Sequence, residues 1–208
     1  MVLTVRTLPV FLFVGNHACL DFINTSIVSE GEPVDLLTTF SDLIAWFKEA
    51  KLLTEEDGKK IERQGSQEAT GAQMLTQARA FRQTLRDMIE RIAAGRPVPQ
   101  AAVEAINEHL RHRAGYSQVT GRGRHFEKVF EDASQDPKRL LGVLAEAAGD
   151  LVCTSDFALI KKCQNPACVL FFYDTTKNHT RHWCSMNLCG NRSKVAAHYR
   201  RRKKLRPT

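Results

Sequence analysis

The chain contains no long apolar run, no internal repeat, no low-complexity block and no glycine-rich loop of the kind that cradles phosphate. No stretch approaches the roughly 20 apolar residues that a membrane helix needs, so we expect no membrane association. The apolar run at residues 8–14 is short, contains Pro9 and leads into Gly15, Asn16 and His17 rather than into a small-residue cleavage site. These absences together predict a cytoplasmic protein.

Acidic residues are missing after Asp174, where ten of the 30 Lys and Arg residues lie. The rest of the chain holds 20 basic and 23 acidic side chains, so a slightly acidic body carries a strongly basic end. Such a division is typical of a module that binds a polyanion. The alternative is that the run from Arg200 to Lys204 is a solvated tail or a general electrostatic anchor.

Four of the six cysteines form two equally spaced pairs, Cys163-x4-Cys168 and Cys184-x4-Cys189. Two thiolates on each of two tight turns supply the four soft ligands that zinc prefers. The alternatives are buried thiols or two disulfides, and disulfides require an oxidising compartment. We therefore predict one structural Zn²⁺ ion, whose four sulfurs leave no open position for a substrate or an activated water.

Two other groups of residues carry side chains suited to metal binding or nucleophilic chemistry. His179 and His182 are rival zinc ligands close to Cys184. Cys19 with His17 is the only nucleophile-like pair, but side chains two positions apart point in different directions on a strand or a helix. We therefore predict that the protein is not an enzyme and that it has no catalytic residues.

The residues around the cysteines predict a finger that ends in a basic helix. A hairpin is expected from the apolar segments 157–160 and 169–173, and Gly190 permits a tight turn into a helix that begins at Asn191. On that helix Val195, Ala196 and Tyr199 would pack on the zinc loops. The expected DNA-contacting residues are Arg181, Arg192, Lys194, His198, Arg200, Arg201, Arg202 and Lys204. Such a helix either enters the major groove or lies along phosphates.

Several residues of the finger have two candidate roles. Trp183 either covers the zinc sulfurs or stacks on a base, and Asn191 either caps the final helix or donates to a thiolate. Asp174 is expected to hold Arg181 or Arg192, and Arg192 is alternatively a direct contact to DNA.

The first 155 residues predict a helical body. Helices are expected after the near capping box Thr39-x-x-Asp42, after Thr54, over residues 67–94, after Pro99 and after Pro137. A turn is expected at residues 120–123 between two short strands. Cys153 is expected to be packed on the inward face of the last of these helices.

An effector pocket is a further hypothesis for this body. His17, Asp21 and Asn24 are close in sequence, and an arginine such as Arg82 near them would bind a carboxylate or phosphate ligand. The alternative is an internal ion pair between Asp21 and Arg82 that stabilises the fold.

The C-terminal motifs resemble the CGNR-type zinc finger. The matching segments are Cys163-Gln-Asn-Pro-Ala-Cys168, Phe172-Tyr-Asp174-Thr-Thr176, Arg181-His-Trp183-Cys184-Ser-Met186 and Cys189-Gly190-Asn191-Arg192. The segment from Cys19 to Thr25 resembles the opening of the ABATE domain, which accompanies this finger in bacterial proteins. The resemblance implies a bacterial transcription regulator, often linked to stress.

The resulting expectation is a mainly α protein with small β elements: a helical sensing or dimerisation domain at residues 1–155 and a treble-clef-like zinc finger with a basic C-terminal helix at residues 156–208. We expect a zinc-dependent regulator that binds double-stranded DNA, responds to a small-molecule effector and forms a homodimer. The alternative is an RNA-binding or protein-interaction zinc module without sequence-specific reading of DNA. Few aromatic residues accompany the basic helix, which disfavours stacking on single strands.

Overall fold

The computed structural model describes residues 11–65, 68–133 and 136–195. Its helices are α1 (Ala18–Ile23), α2 (Phe40–Glu49), α3 (Glu55–Gly65), α4 (Glu68–Ala93), α5 (Gln100–Leu110) and α6 (Arg139–Thr154). Its strands form three antiparallel hairpins. They are β1 (Ser26–Ser29) with β2 (Glu32–Asp35), β3 (Gly115–Arg122) with β4 (His125–Asp132), and β5 (Ile160–Lys162) with β6 (Phe171–Tyr173). The predicted class, mainly α with small β elements, is confirmed.

Local sequence signals set the helix starts. The Thr39 hydroxyl accepts from the backbone N–H of Asp42, and the Asp42 carboxylate accepts from the backbone of Thr39, so the predicted capping box is formed. Thr54 caps α3 in a similar way through Asp57. The predicted long helix and the helix after Pro99 are confirmed as α4 and α5.

The larger of two apolar clusters in the described residues joins the helices. The buried indole of Trp46 packs on Phe22 and Phe47, with ring centroids 5.0 and 5.3 Å apart. Ile160 and Phe171, which belong to the β5–β6 hairpin, are buried in the same core. These two residues lie beyond residue 155, so the helical core includes side chains from the segment assigned to the finger, while a second, smaller apolar cluster surrounds the four cysteines.

Two local expectations were wrong. Cys153 is exposed, since it lies off the stripe formed by Ala148 and Leu151 on α6. The β3–β4 turn is at residues 123–124 instead of 120–123, because Gly123 adopts the positive φ (66°) that the turn requires and the strands extend up to it.

Candidate metal centre and its attachment to the helical body

The four paired cysteines converge on one point. Their sulfur atoms all lie within 4.8 Å of one another. The Sγ atoms of Cys168 and Cys184 are 3.8 Å apart, and those of Cys184 and Cys189 are 3.6 Å apart. Zinc at about 2.3 Å from each ligand would separate the sulfurs of a regular tetrahedron by about 3.8 Å. The four sulfurs therefore fit one structural zinc ion, as predicted.

The first cysteine pair forms the turn of the β5–β6 hairpin. The Cys163 backbone N–H donates to the Leu170 carbonyl, and the Cys168 N–H donates to the Asn165 carbonyl at 2.8 Å. The Asn165 side chain reaches the other pair, where its amide donates to the Cys189 sulfur at 3.4 Å. Asn165 thus has the outer-sphere role that was considered for Asn191, which is exposed and lies within the following helical segment.

The second cysteine pair begins a helical segment. Residues Met186–Gly190 form a π-helical turn, and residues 191–195 continue it as α-helix. The Cys184 N–H donates to the Cys163 sulfur at 3.4 Å. A Cβ on Gly190 would lie 2.6 Å from the Met186 sulfur and 3.1 Å from the Trp183 ring. The Met186 thioether is the flexible end of an exposed side chain and can move aside, so this contact does not demand glycine, and Gly190 lacks the positive φ of the tight turn that we expected.

Protonation of the cluster is unequal without a metal. Hydrogen bonding from the Cys184 thiol lowers the pKa of Cys168 to about 5. Burial raises the pKa of Cys163 to about 11, and the negative Cys168 neighbour adds to that rise. The negative charge of the first thiolate therefore makes deprotonation of the next thiol less favourable. A bound divalent cation offsets this repulsion. Metal binding must release protons from the remaining thiols.

The two rival histidine ligands do not belong to the cluster. The Nδ1 atom of His179 lies 3.2 Å from the Asp174 carbonyl, and His182 is exposed. Trp183 is partly buried against the cysteine cluster, in agreement with the role of a cover for the sulfurs.

Asp174 is the buried electrostatic centre of the finger. Its fully buried carboxylate accepts from the Lys161 ammonium at 2.7 Å, from the Thr176 hydroxyl at 2.6 Å and from the Arg181 backbone N–H at 2.9 Å. Burial alone would raise the pKa of Asp174, but these hydrogen bonds hold it well below its usual range. The expected partner was the side chain of Arg181 or Arg192. Lys161 was missed because it is an ordinary strand lysine in the sequence.

The Arg181 side chain is half-buried, and its guanidinium points toward backbone carbonyls of the protein. It donates to the carbonyls of Val14 (2.7 Å), Trp183 (3.0 Å) and Cys184, and it lies over the Phe172 ring at 4.1 Å. These contacts favour a structural role for Arg181 over the predicted contact with DNA. They also link the zinc loop to the segment that precedes α1.

Other backbone and side-chain hydrogen bonds attach the finger to the helical body. The buried Asn24 amide donates to the Phe171 carbonyl at 2.8 Å, and its oxygen accepts from the Phe171 N–H at 3.0 Å. The Tyr173 N–H donates to the Gly15 carbonyl at 2.8 Å, and Arg86 donates to the Val169 carbonyl at 2.7 Å. Residues 15–24 therefore lie beside β6 as a fixed support.

The four proposed effector residues do not face a common site. Asp21 accepts from the Gly15 N–H at 2.7 Å, and His17 caps α1 through the Cys19 N–H. The Asn24 side chain is hydrogen-bonded to the backbone of Phe171. Arg82 donates to both oxygens of Asp35 and to the Thr25 hydroxyl. Their side chains therefore stabilise the fold at separate points, and the ion pair expected between Asp21 and Arg82 is formed by Asp35 and Arg82.

The nucleophile-like pair has the wrong protonation and burial for catalysis. Burial raises the pKa of the Cys19 thiol to about 12, and burial lowers the pKa of His17. The fully buried Cys19 therefore remains a neutral thiol, which is a poor nucleophile.

Only some of the residues predicted to bind DNA lie in the part of the chain that the structure describes. Arg192 and Lys194 are exposed on the helical segment after Cys189. Val195 is 55% exposed, which contradicts the expected packing of its side chain on the zinc loops. The predicted residues His198, Arg200, Arg201, Arg202 and Lys204, with the packing residues Ala196 and Tyr199, lie outside the described residues.

Comparison with known families agrees with this arrangement. A family described as "Putative stress-induced transcription regulator" (ABATE) matches residues 16–155, which is more than half of the chain, and the CGNR zinc finger family matches residues 160–202. No curated protein matches the chain. Among the described helices, none is both long and apolar enough to cross a membrane. The chain belongs to the ABATE family and carries a CGNR zinc finger.

Proposed function

We propose that this protein is a DNA-binding transcription regulator in which zinc fixes the start of a basic C-terminal segment against the helical body. The observation that carries the proposal is the position of the exposed Arg192 and Lys194, within five residues of the zinc ligand Cys189. No acidic residue follows Asp174, so the charge of this segment is not neutralised within it. Contacts of this kind to phosphates supply affinity, whereas contacts to base edges supply sequence choice.

The test is retention of genomic duplex fragments by the zinc-loaded protein at about physiological salt, followed by sequencing. A compact set of enriched sites that is lost with Cys184→Ser would support a sequence-specific regulator. Uniform retention that fades with salt would limit the segment to phosphate binding. Absence of retention would contradict the proposal.

A paired variant assigns the contact to the described basic residues. We expect Arg192→Ala/Lys194→Ala to reduce the salt dependence of binding, because each lost phosphate contact lowers the slope by about one counterion. Lys59→Ala/Lys60→Ala on α3 is the matched control, since both lysines are exposed and lie in the helical body. Equal effects of the two variants would mean that binding reflects net charge alone.

A groove beside the finger favours single-stranded nucleic acid as a second candidate ligand. Phe13 (40% exposed), His182, Trp183, Met186 and Lys194 line this groove, which has a volume of about 700 Å³. Aromatic faces next to a cation are the elements that hold unstacked bases. The sequence did not reveal this because Phe13 is distant from the finger in the chain. Tighter binding to single strands than to duplex in a direct titration would favour this candidate.

A further inference from the structure

The β3–β4 hairpin is a two-stranded arm with little cover from the rest of the protein. None of its sixteen strand residues is buried. The two strands pack chiefly on each other, and within the described residues no other strand joins their sheet. An isolated two-stranded hairpin is only marginally stable in water. An arm of this length is therefore expected to gain stability by packing against something else.

The base of the arm is firmly anchored. The Arg113 guanidinium lies 4.1 Å over the Phe130 ring and forms ion pairs with Asp132 at 2.7 Å and Glu146 at 2.9 Å. The Ala133 N–H donates to the Ala114 carbonyl at 2.7 Å. This anchor fixes the direction in which the arm leaves the helical body, so the exposed part is a defined surface.

The outer edge of β3 lacks the features that normally protect an edge strand. Residues 115–121 contain no charged residue and no proline, whereas β4 carries charged residues along its length. Proteins usually block long exposed edges with lysine, proline or a bulge, because unpaired N–H and C=O groups pair readily with another strand. The arm also carries Tyr116, Val119 and Phe126, which are 61%, 71% and 65% exposed. An uncharged edge with apolar side chains on it is a surface for strand addition.

We propose that this edge pairs with β3 of a second copy, antiparallel and centred on Val119, to form a four-stranded sheet across a two-fold axis. In this register Val119 faces Val119 of the second copy. Gln118 faces Thr120 of the second copy, and Ser117 faces its Gly121. The only charged residue in the paired segment, Arg122, faces Tyr116 of the second copy, where its guanidinium can lie on the aromatic ring.

The side chains of the arm suit this two-fold arrangement. Phe126 lies opposite Gly121, and Phe130 lies opposite Ser117 within each arm. Across the four strands, one row of neighbouring side chains therefore runs from Phe130 and Ser117 of one copy to Gly121 and Phe126 of the second copy. An aromatic residue lies at each end of this row, and two small residues lie in the middle. The rings of Phe126 from both copies then have room to cover the central Val119 pair. No like charges face each other across the new interface.

The first test is sedimentation of the zinc-loaded full chain and of Val119→Glu. A carboxylate at this position faces Lys128 within its own arm, so the hairpin is retained. Across the two-fold axis it faces a second carboxylate, and we expect dimerisation to weaken about tenfold or more. Val34→Glu on β2 is the matched control, since Val34 is also exposed (36%) but lies on another hairpin. A monomeric wild type, or a dimer that Val119→Glu leaves unchanged, would overturn the proposal.

The second test fixes the register. In a Cys153→Ser background, which removes the exposed native thiol, Val119→Cys should form an intermolecular disulfide under mild oxidation, since directly opposed strand residues have the required separation. Tyr116→Cys should not, because it faces Arg122 of the second copy. Equal cross-linking of the two variants would contradict the proposed register, and no cross-linking of Val119→Cys would contradict the pairing.

Discussion

Asp21 illustrates how burial of one side chain gives the stability of this protein a pH dependence. Its half-buried carboxyl group accepts from the Gly15 N–H, and Arg181 is a nearby positive charge. Burial outweighs these contacts and raises the pKa of Asp21 to about 6. An acid with a raised pKa in the folded state stabilises the fold when it is protonated. Its contribution is complete below the unfolded pKa of about 3.9 and is lost as the pH rises through about 6.

We therefore expect Asp21→Asn to remove one component of the pH dependence. The difference in free energy of unfolding between variant and wild type should shift in favour of the variant between about pH 4 and pH 6 and stay constant above about pH 7. Urea titrations at several pH values measure this difference, and the contribution of zinc release cancels because both proteins share it. Asp87→Asn, an exposed position on α4, is the control. A difference that is constant with pH would mean that the pKa of Asp21 is not raised.

At the scale of elements, the backbone of β6 completes its hydrogen bonding with a side chain at the end of α1. Asn24, at the end of α1, satisfies both the N–H and the C=O of Phe171 in the way that a neighbouring strand would. The hairpin itself is only three residue pairs long. Its position is therefore set by this side chain as much as by strand pairing.

We expect Asn24→Ala to destabilise the protein by about 2–4 kcal/mol, because it leaves two buried backbone groups without partners. The midpoint and slope of urea unfolding measure the loss, and the zinc content of the folded protein is measured in parallel. Asn107→Ala on the exposed side of α5 is the control and should change stability by no more than about 0.5 kcal/mol. A similarly small loss at Asn24 would show that β6 is held by the metal and the core alone.

At the scale of the whole molecule, we expect the finger and the helical body to unfold as one cooperative unit. Ile160 and Phe171 are buried in the helical core, and Leu12, Val14 and Ile27 of the body pack against the cysteine cluster. We therefore expect loss of the metal to disturb residues on both sides. The two tryptophans of the chain report this, since Trp46 is in the body and Trp183 is in the finger.

We expect removal of zinc by a chelator to lower the urea midpoint reported by Trp46 in a Trp183→Phe variant. The reason is that unfolding of the zinc loops releases Ile160 and Phe171 from the core. Readdition of zinc should restore the midpoint. Two independent domains would instead leave the Trp46 transition unchanged by the chelator.

Sequence patterns predicted the parts of this molecule that depend on local spacing. The capping box at Thr39, the long helix α4 and the four sulfurs follow from residue intervals of three to five positions. The partner of Arg82 was predicted wrongly because β1 and β2 were not foreseen, and Asp35 comes into reach only when that hairpin forms. The attachment of Asn24 to Phe171 joins positions 147 residues apart, which no local pattern can reveal.

The groove that ends at Lys194 begins at Phe13 and Val14, near the opposite end of the chain. Arg181 holds these two regions together through the Val14 carbonyl. Any group attached at residue 13 therefore occupies the space beside the exposed cations of the finger. A fusion partner or bulky label placed there would compete with a ligand of the basic segment, whereas a small environment-sensitive dye at the same position would report its arrival.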